Sequence, residues 1–129
     1  MGNYSKQKEE IIKIIEQMDS IPNAEEIYLK VKQKDSTIGR STVYRNLNRF
    51  VESGILIQIP ISNGADRYFC KKSDENYGFV VCEKCGRIHE FVCDFDLSIF
   101  EKKVYDQTGT SISKSTILIN CICDECALK

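Results

Sequence analysis

Cys82-Glu83-Lys84-Cys85 and Cys123-Asp124-Glu125-Cys126 are two Cys-x-x-Cys pairs. That spacing lets two thiolates from one tight turn reach the same cation, and two such turns supply the four sulfurs of a closed tetrahedral zinc site. Gly86 follows the first pair and can take the positive-φ position of a knuckle between two strands. The second pair follows the apolar stretch at positions 117–122. Four sulfurs leave no open position for water, so the expectation is one structural Zn²⁺ per chain, held by Cys82, Cys85, Cys123 and Cys126. The alternative is two disulfides or inert buried thiols, and nothing else in the chain suggests secretion. The remaining cysteines, Cys70, Cys93 and Cys121, read as free thiols of a reducing compartment.

A second group of residues suits nucleic acid. Six basic residues against one acid give a local charge of +5 between positions 30 and 49, in a chain of net charge −1. Within that stretch a helix is expected from about 41 to 53. Val43, Leu47, Phe50 and Val51 form its inner face, and Ser41, Thr42, Tyr44, Arg45, Asn48 and Arg49 its outer one. An ordinary solvated face mixes Lys with Glu, whereas this one carries arginines, hydroxyls, an amide and a tyrosine. Arginine suits phosphates or a guanine edge, and Thr and Tyr suit phosphates or a thymine methyl. Arg45 and Tyr44 are the expected readers of sequence, with Arg40, Arg49 and Lys32 as phosphate contacts.

The elements that must position these residues can be read from periodicity. Ile11, Ile14, Ile15 and Met18 make one helical stripe, and Ala24, Ile27, Tyr28 and Val31 a second. Asn23 is the expected N-cap of that second helix, with Glu25 and Glu26 in its first turn. Gly54 is the C′ candidate of the third. Strands are expected at 55–59 and 66–69, joined through the turn dipeptide Asn63-Gly64. Three helices and a hairpin are the winged-helix plan, with the third helix in the major groove. In the second half, strands at 79–81 and 87–91 flank the first knuckle. Asp94 is the expected cap of a helix from about Phe95 to Thr108, with Leu97, Phe100 and Val104 inward. Ile117, Ile119 and Cys121 alternate on a last strand. The fold class is therefore α+β. Residues 1–70 form a winged-helix DNA-binding domain, 71–76 a hinge, and 77–129 a small α/β dimerisation domain with the zinc site. Such a short second domain has a thin core and calls for a metal or a partner chain.

At 129 residues and 42% apolar composition, the chain has no apolar leader and no membrane-length apolar run, so a cytoplasmic location is expected. It has no nucleophile–base constellation and no phosphate loop. No catalytic residues and no small-molecule substrate are expected; the chain does not read as an enzyme.

The segments Pro22-Asn23-Ala24-Glu25-Glu26-Ile27-Tyr28, Ser41-Thr42-Val43-Tyr44-Arg45-Asn46-Leu47, Gly54-Ile55-Leu56, Asp66-Arg67-Tyr68, Cys82 to Ile88 and the terminal cysteine pair closely resemble the ferric uptake regulator family of bacterial repressors, in the family's order. The resemblance implies a homodimer with a structural zinc that binds double-stranded palindromic operator DNA. Tyr44 and Arg45 lie where family members touch DNA. Family members usually sense metal through several histidines, and here His89 stands alone. Ile21 replaces a common histidine before Pro22, positions 75–79 lack the usual histidines, and Ser115 and Phe69 replace further ligands. Glu90 matches an acidic ligand position, and Cys70 lies near a cysteine ligand of the zinc-sensing branch. A second, regulatory metal is therefore doubtful, and the leading expectation is a regulator, by expectation a repressor, whose metal sensing is lost. The alternatives are a zinc-responsive regulator using Cys70 and Glu90 with Glu75 or Asp74, and a thiol-redox or zinc-handling protein that does not bind DNA.

Overall fold

The computed structural model describes residues 2–62, 64–94, 96–113 and 115–128. The chain forms two compact units, which part between Ser73 and Asp74. In the first, helices α1 (Gly2–Gln17), α2 (Ala24–Lys34) and α3 (Arg40–Glu52) precede strands β1 (Leu56–Ile59) and β2 (Arg67–Cys70). The apolar stripes meet in one core of Ile11, Ile14, Ile15, Ile27, Val31, Val43, Leu47, Phe50, Leu56 and Tyr68.

Local chemistry sets the helix ends. Asn23 Oδ1 accepts from the Glu26 amide at 2.8 Å, and Glu26 Oε1 accepts from the Asn23 amide at 3.0 Å. This reciprocal capping box satisfies two otherwise orphaned donors. At the far end of α3, Gly54 has φ +83°. Its amide donates to Val51 O at 3.1 Å, and the Ile55 amide donates to Phe50 O at 2.9 Å, the Schellman pattern. That cap consumes Ile55, so β1 starts at Leu56 rather than at 55. Asp66 also stays outside its expected strand: its carboxylate accepts from Gln58 Nε2 at 2.9 Å and braces the loop between the strands. Asn63, half of the expected turn dipeptide, lies outside the described residues. β1 and β2 pair antiparallel, with Leu56 opposite Cys70. The hairpin is pinned to the start of α2, because the Tyr68 amide donates to Pro22 O at 2.8 Å and Arg67 Nη1 to Ile21 O at 2.8 Å.

The second unit holds β3 (Asn76–Cys82), β4 (Ile88–Cys93), helix α4 (Ser98–Thr108), β5 (Ile117–Cys121) and the short α5 (Asp124–Ala127). The sheet order is β4-β3-β5, with β4 antiparallel and β5 parallel to the central strand. A parallel neighbour requires a crossover connection, which α4 and its flanking loops supply. Asn76, placed in the hinge by composition, already pairs with Cys93. The strands are longer than composition suggested because the ladder runs outward from the knuckle. Phe91 lays its ring over Gly78, filling the space that a Cβ there would need.

The helix in this unit departs most from expectation. It begins at Ser98, and Phe95 lies outside the described residues. Asp96, not Asp94, accepts from the Ser98 amide, at 2.9 Å. Leu97 and Val104 are half-buried, but Phe100 is 54% exposed. The helix buries no residue, and Ile99 and Tyr105 are exposed with Phe100. Periodicity finds an apolar stripe but not what the stripe faces.

Candidate metal centre and nucleic-acid interface

Cys82 closes β3, and the chain then turns back on itself. The Cys82 amide donates to Arg87 O, and the Gly86 amide to Cys82 O, both at 2.9 Å. Gly86 sits at φ +77°, where any side chain would be strained. Cys85 is carried at the tip. The Glu83 amide reaches across to Cys121 O at 2.8 Å, which ties the knuckle to β5. Two residues after β5, Cys123 is the N-cap position of α5, and Cys126 follows one turn on. The four sulfurs of Cys82, Cys85, Cys123 and Cys126 all lie within 4.8 Å of one another.

A zinc ion 2.3 Å from each of four sulfurs sets them about 3.8 Å apart. Cys85 Sγ and Cys123 Sγ are 3.6 Å apart. The donor set, its spacing and its convergence on one point suit a single closed tetrahedral site. The thiol chemistry points the same way. The Cys123 amide donates to Cys82 Sγ at 3.4 Å, and with the Cys85 and Lys84 amides it holds the Cys82 thiol down to about 6. The Cys126 thiol, which donates to Cys123 and is partly desolvated, is pushed up to about 12. Four packed sulfurs cannot all be anions without a cation among them, so protons stay on some of them. Arg87 Nη2 bonds Glu125 Oε2 at 2.9 Å, linking the knuckle to α5. That pair is exposed and contributes little stability.

The other cysteines do not join this group. Cys70 is half-buried with its sulfur 3.8 Å from Glu16 Oε1, and burial together with that carboxylate raises its thiol. Burial likewise raises Cys93 and Cys121. A thiol raised in this way carries less of the reactive thiolate near neutral pH. His89 is exposed on β4. Within neither unit do the described residues form another group of three or more close metal-ligating side chains.

On α3, Val43, Leu47 and Phe50 seal one side into the core, together with buried Asn46, whose Nδ2 donates to Thr42 O at 2.9 Å. The helix rotation this fixes leaves Ser41, Tyr44, Arg45, Asn48 and Arg49 exposed and Thr42 half-buried. Arg45 carries no hydrogen bond or ion pair among the described residues. Arg40 is different: it forms a two-point ion pair with Glu25, at 2.7 and 3.1 Å. Tyr44 Oη lies 3.4 Å from the same carboxylate. The Arg40 guanidinium stacks 4.5 Å above the Tyr28 ring, and Lys32 Nζ lies 5.7 Å from it. Arg40 holds the Glu25 carboxyl below its ordinary range, and Glu25 in turn raises Arg40. Sequence reasoning assigned Glu25 only to the helix dipole. No local signal marks a partner 15 positions away.

Comparison with known proteins gives the same architecture a family. The model of the ferric uptake regulator family matches residues 2–120, a span that ends before the second cysteine pair. The ferric uptake regulation protein of Haemophilus ducreyi is 32% identical over 104 residues, covering 80% of this chain and 68% of its own length. The peroxide operon regulator of Bacillus subtilis is 31% identical over 108 residues, 84% of this chain and 72% of that protein. Among solved structures, the Campylobacter jejuni peroxide stress regulator superposes with a TM-score of 0.76 at 26% identity, covering 96% of this chain and 91% of that one. The Helicobacter pylori ferric uptake regulator gives 0.72 at 25% identity, with coverage of 95% and 80%. A zinc uptake regulator solved with zinc and DNA shares the fold at 17% identity, with a TM-score of 0.76 and coverage of 95% and 81%. The chain belongs to the ferric uptake regulator family of DNA-binding transcription regulators.

Proposed function

We propose that this protein is a homodimeric, zinc-stabilised repressor that reads palindromic operator DNA with α3. The observation that carries the reading is the exposed face of Tyr44, Arg45, Asn48 and Arg49, on a helix whose other side is sealed into the core. A face of that composition, followed by a β-hairpin, matches the requirements of major-groove reading. Residues 1–70 act as the DNA-binding domain and 77–129 as the dimerisation domain. Exposed Val92, Ile99, Phe100, Tyr105, Ile119 and Ile122 give the second unit an apolar surface that a lone chain leaves wet, and such surfaces mark protein contacts. Two copies then present two recognition helices to a palindrome. One zinc on Cys82, Cys85, Cys123 and Cys126 holds the dimer-forming unit together, and the protein works in a reducing cytoplasm, not as an enzyme. Selection of duplexes from a random pool by the purified protein tests the reading. An inverted repeat should emerge, and recovery of no sequence preference would defeat it.

Regulation by a second metal is weak in this reading. Phe79, in a segment where the family resemblance implies histidine ligands, is instead a wholly buried core side chain of β3. Ile21, Tyr77 and Ser115 supply no ligand of the expected kind. Adding Fe²⁺, Mn²⁺ or Ni²⁺ to zinc-loaded protein should therefore change affinity for the selected duplex by less than about tenfold, or roughly 1.4 kcal/mol. A larger, saturable gain would reveal a regulatory site. If Zn²⁺ alone produced it, the zinc-responsive reading with Cys70 and Glu90 would replace this one.

A further inference from the structure

Arg40 is the first residue of α3, and the N-cap Gly39 offers no side-chain acceptor there. A cation at that end opposes the helix dipole. Glu25 supplies the missing anion from α2. Its two oxygens take both Arg40 Nη2 and Nε, at 2.7 and 3.1 Å, and the second also lies 3.4 Å from Tyr44 Oη. Tyr28 supports the guanidinium from beneath at 4.5 Å. The result is a two-point contact with a ring beneath it, between side chains that are 57% and 44% exposed. It has no net charge, although it sits at the start of the most basic surface of the chain. A phosphate approaching Arg40 must displace a carboxylate or lie beside one. Arg45, five residues along the same helix, has no such partner among the described residues.

Resting on the DNA-binding reading above, we propose that Glu25 is a specificity-determining positioning residue. It fixes Arg40 and Tyr44 and withholds the Arg40 charge from phosphates, so that generic DNA is bound weakly while Arg45 stays available to read bases. Phosphate contacts raise affinity for every sequence alike, whereas base contacts do not. An acid that silences one cation at the DNA face therefore lowers the background more than the signal.

The test uses the full-length, zinc-loaded protein and two duplexes of roughly three helical turns, one of random sequence and one selected by the protein itself. Fluorescence anisotropy is read across a salt series. Glu25→Gln should tighten binding to the random duplex and steepen its log–log salt slope by about 0.9, one phosphate's worth, so that the gain shrinks about threefold between 50 and 200 mM salt. The selected duplex should gain less, so discrimination falls. Adding Arg40→Leu to Glu25→Gln should restore the wild-type slope. Glu25→Asp keeps the charge but is one methylene too short for the two-point contact, and should show part of the gain. Glu52→Gln, an equal charge change at the other end of α3, should move the slope less than half as far. Several results would overturn the proposal: an unchanged slope in Glu25→Gln, a gain that survives Arg40→Leu, a wild-type slope in Glu25→Asp, or the whole effect reproduced by Glu52→Gln. Wild-type protein that binds neither duplex would instead sink the DNA-binding reading, and this proposal with it.

Discussion

Cys126→Ser protein is expected to lose its zinc and to melt at a markedly lower temperature than the wild type. The second unit has few other means of holding together. Among its described residues, only Phe79, Val81, Cys82 and Cys93 are buried hydrophobics, and two of these are cysteines. A core so thin does not offset the conformational entropy of more than 50 residues unless a metal or partner adds to it. The four sulfurs come from a knuckle after β3 and from the cap and first turn of α5, so the ion joins segments about 40 positions apart. No preformed site exists in the unfolded chain, and metal-binding free energy therefore becomes folding free energy. Even a few kcal/mol lost in so small a unit lowers its midpoint by about 10 °C or more. Dimerisation should weaken together with stability, since the exposed apolar surface of α4 and β5 is presented by this unit. Calorimetry, zinc content and sedimentation check the result. Cys70→Ser, which alters a half-buried thiol in the other unit, should retain one zinc per chain. If Cys126→Ser stays dimeric with an unchanged midpoint, the metal has no structural role.

What could be read from the chain beforehand is what short-range chemistry decides. The isoleucine spacing in α1, the Asn23 cap and the Gly54 cap are all determined within one or two turns of chain, and so were readable; the return bond from Glu26 to the Asn23 amide was not read. So were the two cysteine pairs, because the reach of two thiolates around one ion fixes their spacing. Their convergence was an inference from valence, since a single pair leaves a zinc ion half-coordinated. The errors fall where the decision is made elsewhere in the fold. Ile55 looks like a strand residue but is taken by the Schellman cap. Asp94 was the expected cap, but the backbone path starts the helix at Ser98 with Leu97 at the N-cap position, and it is Asp96 that accepts from the Ser98 amide. Phe100 belongs to an apolar stripe that a single chain does not bury. Glu25 was invisible as a partner of Arg40 because tertiary packing of α2 on α3 brings them together.

Arg45→Ala should cost about 1–3 kcal/mol on the selected duplex and blur preference at one position of each half-site. The size follows from what the side chain is free to do. Arg45 is exposed, without a partner among the described residues, and next to Tyr44 on the face opposite Val43 and Leu47. Its truncation leaves the core of the first unit untouched, so the melting temperature should hold. A guanidinium that pairs with a guanine edge gives two directed hydrogen bonds, and no other base offers the same two acceptors in the same place. Lys32 provides the contrast. It is exposed on α2 beside the Tyr28 ring, and an ammonium there acts as a point charge. Lys32→Ala should weaken all duplexes alike and flatten the salt slope by roughly one unit. The two variants thus separate reading from attraction in one assay. If Arg45→Ala binds the selected duplex as tightly as wild type, with its preference intact, then α3 is not the reader, and the exposed face that Val43, Leu47 and Phe50 impose on it is only a basic surface.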